Sequence, residues 1–457
     1  MSSTEIDRGN WGSKLGFILA AAGSAIGLGN IWRFPYVAGQ NGGAIFVLIY
    51  VIFVVMIGLP VMISELSIGR RTQKNPVGAF KVLFPKSFWK YVGGLGVITG
   101  IGILSFYAVI AGYTVGYFIK IILGDFNHVL TGDQSAAIFT SFTANPYVSI
   151  SLLFLFVLLT VMVVMGGVSA GIERWSKILM PILFVLLILL AIRSVTLKGA
   201  GAGLSFYLKP DFSKLSLTTF ARALGQALFS LSLGMGTMIT YGSYISKKDN
   251  LVTSAAYVAF FDTLIAILSG LVMFPALFAM GLDPAGGAGL VFVVLPSIFA
   301  KMPGGMIFGA GIFLLLAVAA LTSTISLLEV PVAYFVDEHK WTRKKAVIWM
   351  GVITFIIGIP SALSLGANSV LSTIIRKDFG FLDMMNAVFG NYSLSIGAFF
   401  ISIFAGYKWG VHAVAKEIEQ EGSIFYYKKL WMFIIRFICP IAIFFILSYI
   451  AWTGNYF

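Results

Sequence analysis

The chain has 457 residues, of which 59% are apolar and only 11% are charged, and its mean hydropathy is +0.95. Soluble proteins carry about 25% charged residues, so the composition excludes a water-soluble protein and predicts an all-α membrane protein. The net charge of +13 would suit a nucleic-acid-binding protein only if the basic residues clustered on one surface. The basic residues are instead distributed unequally between the two sides of the membrane, as described below, and we expect no nucleic-acid partner.

Apolar segments of about 20 residues, the length that crosses the hydrocarbon core, recur along the chain. They predict eleven transmembrane helices at approximately 11–38, 43–69, 91–124, 146–166, 171–193, 218–245, 250–281, 303–337, 344–361, 379–407 and 430–452. With a cytoplasmic N-terminus, 20 Lys and Arg residues fall in cytoplasmic segments and 8 fall outside, as the positive-inside rule requires. We therefore predict a multi-pass protein of the cell membrane (plasma or inner membrane), with the C-terminus outside.

Span 1 contains the sequence GSAIGLGNIWRFP, which runs from Gly23 to Pro35 and includes three glycines followed by Asn30 and Arg33. A broken helix leaves backbone N–H and C=O groups that lipid cannot satisfy, and a charge at this depth is costly. Such a segment predicts a binding site inside the protein. The alternative is that Gly23 and Gly27 only allow two helices to approach closely.

Span 6 contains a second interruption, GQALFSLSLGMGTMITYGSY, with Gly234 and Gly236 in its middle. Two Gly-interrupted spans at corresponding positions indicate a transporter built from inverted repeats. We predict a 5+5 inverted repeat in a single transmembrane domain, residues 1–457. The first repeat is expected at about 11–193, the second at about 218–407, and an extra helix at about 430–452. Residues 71–89, 125–145, 194–217 and 282–302 are predicted to be loops.

These motifs closely resemble the neurotransmitter:sodium symporter family, in particular its bacterial amino-acid transporters of the tyrosine type. The resemblance also rests on NGGAIF after span 1, IERWSKILMP at the start of span 5 and ALTSTISLLE in span 8, and it covers essentially the whole chain. It implies the leucine-transporter fold and sodium-coupled import of a neutral amino acid by alternating access. It implies neither an enzyme nor an obligatory protein partner.

The resemblance implies that two Na⁺ ions bind at the breaks, where carbonyl, hydroxyl and carboxylate oxygens suit a hard cation. For the first site it implies the substrate carboxylate, the carbonyl of Ala25 and the side chains of Asn30, Ser230 and Asp262. For the second site it implies the carbonyls of Gly23, Ile26 and Ala319 and the hydroxyls of Thr322 and Ser323. Hydrogen bonds within their own helix are the alternative for these two hydroxyls.

Asp262 in span 7 departs from the asparagine that is usual in the family. Chloride-dependent relatives place a serine one turn later, where this chain has Ala266, whereas Tyr50, Gln226 and Ser230 match other residues of the chloride site. A fixed carboxylate beside sodium would supply the negative charge that chloride provides elsewhere, so we expect chloride-independent transport. A protonated or shielded Asp262 is the alternative.

The resemblance implies a substrate pocket between the two breaks. Its residues would be Ser24, Ala25, Gly27, Leu28, Gly29, Ile103, Tyr107, Phe229, Ser232, Met235, Ser323 and Leu327. The amides of Leu28 and Gly29 and the hydroxyl of Tyr107 would hold the substrate carboxylate. The carbonyls of Ala25, Phe229 and Ser232 would hold the amine.

Two pocket positions bear on the substrate. Amine-transporting relatives have an aspartate at the position of Gly27, so a substrate of this chain should bring its own carboxylate. Met235 and Leu327 stand where the leucine-transporting relative has phenylalanine and isoleucine. Because methionine is unbranched and adaptable, we expect a wider pocket and an aromatic amino acid, with tyrosine as the first choice. Aliphatic or branched neutral amino acids are the alternative.

Two gates complete the resemblance. The outer gate would consist of Arg33, Asp383 and Gln226, and the inner latch of Arg8, Trp11, Ser243, Tyr244 and Asp337. Arg8 and Asp337 are open to a second interpretation as surface charges at the cytoplasmic rim. An amino-acid sensor of the same fold is the main rival function; a cation channel would need rings of ligands around an axis, and an enzyme would need a catalytic motif.

Overall fold

The computed structural model describes residues 9–126, 131–282, 291–300, 304–374, 379–420 and 424–454. Within these ranges, nine continuous helices are long and apolar enough to cross a membrane. They are Ala44–Thr72, Trp89–Ile122, Pro146–Met165, Val168–Val195, Leu251–Ala279, Gly305–His339, Arg343–Leu363, Phe381–Lys408 and Lys428–Thr453. They correspond to spans 2–5 and 7–11 of the sequence.

The two remaining spans are broken. Span 1 consists of half-helix 1a, Lys14–Ala25, and half-helix 1b, Gly29–Gln40, which are bent by 50° at the break. Span 6 consists of half-helix 6a, Leu217–Ser230, and half-helix 6b, Thr237–Gly242. The described residues therefore contain eleven spans, and the predicted number and the two discontinuous helices are confirmed. The division into two repeats stays a prediction.

Backbone geometry explains the break in span 6. Ser232, Gly234 and Gly236 have φ angles of 54°, 80° and 78°, in the left-handed region that favours glycine. A Cβ atom on Gly234 would lie 2.1 Å from the carbonyl oxygen of Leu394 in span 10. Position 234 therefore requires glycine for two separate reasons: its φ angle is positive, and the backbone of span 10 lies too close for a Cβ atom.

The two breaks lie against each other. The hydroxyl of Ser232 donates to the carbonyl of Ser24 at 2.9 Å, and the side-chain amide of Gln226 donates to the carbonyl of Gly29 at 2.8 Å. Spans 3 and 8, the two longest helices, pack along each other and both contribute side chains beside the breaks. The carbonyl of Ser24 at the break of span 1 thus finds its partner in span 6, and the carbonyl of Gly29 accepts a side chain of span 6 in addition to the amide of Phe34 in its own half-helix.

The segments predicted as loops contain helices, so that prediction was incomplete. The helices outside the spans are Pro76–Leu83, Gly132–Thr143, Ala200–Leu208, Val294–Ala300, Ser369–Ser372 and Val411–Ile418. Two of them begin with strong caps. Asn75 accepts hydrogen bonds from the amides of Val77 and Gly78, and Thr131 and Gln134 form a capping box. These local signals stabilise short helices that carry no long apolar run.

We predict that Gly234→Ala destabilises the protein and that Gly201→Ala, the control, does not. At Gly234 an added methyl group would collide with the backbone of span 10 and would stand at a left-handed φ, each costing about 1–3 kcal/mol. At Gly201, in the helix Ala200–Leu208, nothing lies within 4 Å of an added Cβ. The melting temperature of the detergent-solubilised variants measures the difference, and equal melting temperatures would contradict the close approach.

Candidate functional site

A cavity of about 340 Å³ lies between the two breaks and spans 3 and 8. Its lining residues are Ser24, Ala25, Gly27, Gly29, Ile103, Tyr107, Phe229, Ser230, Ser232, Met235, Ser323 and Leu327. All predicted pocket residues except Leu28 are therefore brought together, and Ser230 is added.

One wall of the cavity is the backbone of span 1 at its break. The amide of Leu28 donates to the hydroxyl of Tyr107 at 2.7 Å. A Cβ atom on Gly27 would lie 2.3 Å from the Ser323 hydroxyl oxygen and 2.5 Å from that of Tyr107. The space beside Gly27 is thus filled by two hydroxyl groups, which is why no side chain fits at this position without displacing them.

Next to the cavity lies a buried polar cluster around the carboxylate of Asp262. The Asn30 amide nitrogen lies 2.7 Å from Asp262 Oδ1 and 2.9 Å from the Ser230 hydroxyl, to both of which it donates. Ser230 donates to the carboxylate at 2.8 Å, and Tyr50 donates to Oδ2 at 2.9 Å. Three residues predicted for the first sodium site therefore touch one another, and Ala25 lines the adjoining cavity. The side-chain oxygen of Asn30 accepts the Gly27 amide at 3.2 Å.

A second oxygen cluster joins span 8 to the end of half-helix 1a. The hydroxyls of Thr322 and Ser323 lie 3.4 Å and 3.3 Å from the carbonyl oxygen of Ile26. Thr322 also donates to the carbonyl of Ala319 within its own helix at 2.9 Å. The hydroxyl of Thr322 therefore makes the hydrogen bond within its own helix that was named as the alternative, and it contacts span 1 as well. A Cβ atom on Gly23 would lie 3.2 Å from Cβ of Thr322. All five residues predicted for the second sodium site are thus neighbours.

These clusters offer carbonyl, hydroxyl and carboxylate oxygens. In the described part of the chain, no group of three or more His, Cys, Asp or Glu side chains converges to hold a metal ion. Oxygen donors without nitrogen or sulfur suit hard cations rather than transition metals.

A second cavity, of about 490 Å³, adjoins the first, and Gly29, Tyr107 and Phe229 line both. Arg33 is buried in its wall, and its guanidinium lies 4.4 Å from the centre of the Phe229 ring. None of the three guanidinium nitrogens is hydrogen-bonded to Asp383. Asp383 accepts the amide of Gly380 at the start of span 10 at 2.9 Å. The predicted outer pair is therefore not hydrogen-bonded in this structure, and its closure stays a prediction.

At the predicted cytoplasmic face, Trp11 covers half-helix 6b. Its indole N–H donates to the carbonyl of Tyr241 at 3.1 Å, and its backbone amide donates to the carbonyl of Tyr244 at 3.4 Å. The hydroxyl of Tyr244 donates to the buried carboxylate of Glu329 at 2.7 Å. Ser243 is buried one residue earlier.

Asp337, also predicted for the inner latch, accepts the backbone amide of Asn75 at 2.8 Å and its side-chain amide at 3.1 Å. Arg8 lies outside the described residues. The latch residues that the structure describes are thus grouped around the ends of spans 1, 6 and 8.

Three buried glutamates have structural roles that the sequence interpretation missed. Glu65 accepts the Gly234 amide at 2.7 Å and so satisfies the break in span 6. Glu329 forms a two-point ion pair with Arg343, at 3.0 Å and 2.6 Å. Glu173 binds the segment that precedes half-helix 1a. The sequence did contain a signal for these residues, because charged residues inside membrane spans are rare and normally form pairs or have a functional role. The sequence analysis drew this conclusion for Arg33 and not for the three glutamates.

Known proteins resemble this chain over most of its length. The sequence model of the sodium:neurotransmitter symporter family matches residues 8–135 and 132–455. The chain is 41% identical to the uncharacterized sodium-dependent transporter YhdH of Bacillus subtilis over 95% of both chains. It is 36% identical to an uncharacterized sodium-dependent transporter of Haemophilus influenzae, over 97% of this chain and 98% of the relative.

Among solved structures, the crystal structure of MhsT in complex with L-phenylalanine is similar, with 47% sequence identity and a TM-score of 0.88. The match covers 96% of this chain and 99% of MhsT. The chain therefore belongs to the sodium:neurotransmitter symporter family, and it is a sodium-dependent, multi-pass membrane transporter rather than an enzyme.

Proposed function

We propose that the chain imports a neutral, aromatic amino acid together with Na⁺ by alternating access, without a requirement for chloride. The observation that carries this proposal is the cavity at the two breaks, which is lined by the hydroxyl-bearing residues Tyr107, Ser230 and Ser323 and lies beside the cluster around Asp262. The positive end of half-helix 1b and the hydroxyl of Tyr107 suit a carboxylate. Ser232, Met235 and Leu327 line the cavity as neutral side chains, which suits a neutral substrate.

The amino-acid carboxylate would bind the amides of Leu28 and Gly29 and the hydroxyl of Tyr107. The hydrogen bond from the Leu28 amide to the Tyr107 hydroxyl supports this assignment, because it places the donor amide beside a hydroxyl that lines the cavity and can itself donate to a carboxylate. The carbonyls of Ala25, Phe229 and Ser232 would receive the amine.

The first Na⁺ would bind the carbonyl of Ala25, the side chains of Asn30, Ser230 and Asp262, and the substrate carboxylate. The contacts among Asn30, Ser230 and Asp262 support this set, since three oxygen-bearing side chains from spans 1, 6 and 7 meet beside the cavity. To bind the ion, Asn30 would turn its oxygen from the Gly27 amide toward the cluster. An ion shared with the substrate couples the two ligands.

The second Na⁺ would bind the carbonyls of Gly23, Ile26 and Ala319 and the hydroxyls of Thr322 and Ser323. The distances from both hydroxyls to the Ile26 carbonyl support this set. Such an ion would join half-helix 1a to span 8 and would hold the break of span 1 in place.

An aromatic side chain is favoured by Met235 and by the structural relative. MhsT was crystallised with L-phenylalanine, and Met235 and Leu327 line the cavity of this chain. Tyrosine remains the first choice, and aliphatic or branched amino acids remain the alternative. Uptake of labelled amino acid into proteoliposomes separates a transporter from a sensor of the same fold.

Alternating access would use the cavity above Phe229 as the outer route and the N-terminal latch as the inner barrier. Trp11 is bonded to half-helix 6b, whereas Arg33 stands over Phe229 without a hydrogen bond to Asp383. We infer an outward-facing arrangement. Closure would bring Arg33 and Asp383 together, with Gln226 beside them, over Tyr107 and Phe229.

We predict that the affinity for L-tyrosine and L-phenylalanine falls about tenfold or more when Na⁺ is replaced by K⁺ or choline, because the ion and the carboxylate bind each other. Equilibrium binding of each labelled amino acid to the purified protein in the three salts measures this effect. Equal affinity in all three salts would overturn the shared site.

We predict that uptake by the parent protein is the same in chloride and in gluconate, and that Asp262→Asn and Asp262→Ser make uptake depend on chloride. Each substitution removes the fixed negative charge beside the sodium, so a mobile anion is needed to replace it. Asp211→Asn is the control, because Asp211 lies exposed in a loop and should leave uptake unchanged in both salts. Chloride-blind activity of the Asp262 variants would defeat the proposal.

We predict that Met235→Phe raises the preference for leucine over tyrosine about tenfold, since a rigid ring shortens the compartment for the side chain. Competition binding of the two amino acids in Na⁺ gives the ratio. Met306→Phe, at an exposed position, serves as the control. An unchanged ratio in Met235→Phe would remove this residue from the determinants of specificity.

A further inference from the structure

The carboxylate of Glu173, at the start of span 5, binds the chain segment that leads into half-helix 1a. The amide of Gly12 donates to Oε2 at 2.6 Å, and the hydroxyl of Ser13 donates to Oε1 at 2.9 Å. Glu173 is buried, with 2% of its surface exposed. Its ion-pair partner Lys177 lies one turn further along span 5, at 2.6 Å, and is 42% exposed.

Half-helix 1a lies directly on this carboxylate. A Cβ atom on Gly16 would stand 2.1 Å from Glu173 Oε1, so glycine is needed for the helix to come this close. Ser13 is the N-cap of half-helix 1a and accepts the Gly16 amide at 3.0 Å. Glu173 therefore places a negative charge at the positive end of the helix, where it is stabilising, and its hydrogen bonds are of the stronger, charge-assisted kind.

The opposite end of the same half-helix carries the residues proposed for sodium. Half-helix 1a has 12 residues and so measures about 18 Å. Gly23 and Ile26 lie at its far end, and span 5 accompanies it along the way, since Met180 lies against Gly23. If half-helix 1a tilted away from span 5, the interface between these two helices would open along its whole length, from Glu173 to the residues proposed for the second sodium site.

Two separate anchors hold the beginning of this helix. Trp11 attaches it to half-helix 6b, and Glu173 attaches it to span 5. The inner latch implied by the family resemblance contains only the first of these anchors. The second anchor joins span 1 to span 5.

We propose that Glu173 is a positioning residue of the transport cycle: it holds half-helix 1a against span 5, and release of its bonds to Gly12 and Ser13 opens the sodium site toward the cytoplasm. This inference rests on the proposed function for the location of the ion and for the cytoplasmic orientation of this face. Glu173 touches neither the ion nor the substrate and acts through half-helix 1a.

The test uses a single reporter cysteine. Cys439 is the one cysteine of the sequence, so Cys439→Ser gives a cysteine-free background for the full chain. Ser176→Cys is added as the reporter, because Ser176 is buried on the face of span 5 between Glu173 and Met180. Its rate of modification by a membrane-impermeant thiol reagent is measured in inside-out vesicles, in choline and in Na⁺.

We expect Glu173→Ala to raise the modification rate at least about tenfold in choline, because it removes both charge-assisted hydrogen bonds, to Gly12 and Ser13, and the loss of one such bond already changes a population by about that factor. Glu173→Gln keeps an acceptor oxygen and should give a smaller increase. Lys177→Met is the matched control: it removes the ion pair within span 5 but keeps the bonds to Gly12 and Ser13, and the rate should stay within about twofold of the background. An unchanged rate in Glu173→Ala, or an equal increase in Lys177→Met, would overturn the proposal.

If Glu173→Ala does not fold, a substitution of Ser13, which donates a hydrogen bond to Glu173, provides a second test. Ser13→Ala removes one of the two donors and should raise the modification rate less than Glu173→Ala would; a rate equal to that of the background would count against the proposal. The sodium site is judged separately. If Na⁺ fails to slow modification in the background itself, the proposed sodium coupling is wrong, whereas normal protection by Na⁺ with no effect of the Glu173 and Ser13 variants refutes only the role of Glu173.

Discussion

A peptide group inside hydrocarbon must find a partner within the protein, and the rest of this structure depends on how two broken helices meet that requirement. At span 1 the amide of Leu28 donates to the hydroxyl of Tyr107, and the carbonyl of Ser24 accepts the hydroxyl of Ser232 in span 6. At span 6 the amide of Gly234 reaches Glu65. The partners come from spans 2, 3 and 6, so the breaks are stabilised by tertiary contacts and not by local sequence alone.

The same requirement explains why binding groups collect at one place. Backbone atoms released from helical hydrogen bonds are strong donors and acceptors, and the hydroxyls of Ser232 and Ser323 already bind the carbonyl of Ser24. A ligand that replaces such internal hydrogen bonds changes the free energy of the broken conformation of span 1. In our account, sodium and amino acid stabilise one arrangement of span 1, and the cytoplasmic anchors at Trp11 and Glu173 stabilise the position of half-helix 1a. Transport then follows from the competition between these contacts.

Much of this arrangement was predictable from the sequence, because glycine and polar residues inside apolar spans are costly and therefore informative. The breaks at Gly27 and Gly234 and the eleven spans were predicted in this way, while the lining of the cavity followed from the resemblance. The partners of the breaks were not predictable, since nothing near Glu65 in the sequence indicates that it meets Gly234. The lack of a hydrogen bond between Arg33 and Asp383 could not be predicted either, because it depends on the relative positions of spans 1 and 10 and not on the sequence of either span.

An experimental structure of the chain with Na⁺ and L-phenylalanine bound would show directly whether the ion and the amino acid share the break of span 1. We expect the carboxylate of the amino acid within hydrogen-bonding distance of the amides of Leu28 and Gly29 and the hydroxyl of Tyr107, with a sodium ion bound to both this carboxylate and Asp262. A structure with the amino acid bound away from these amides, or with no ion between carboxylate and Asp262, would contradict this expectation.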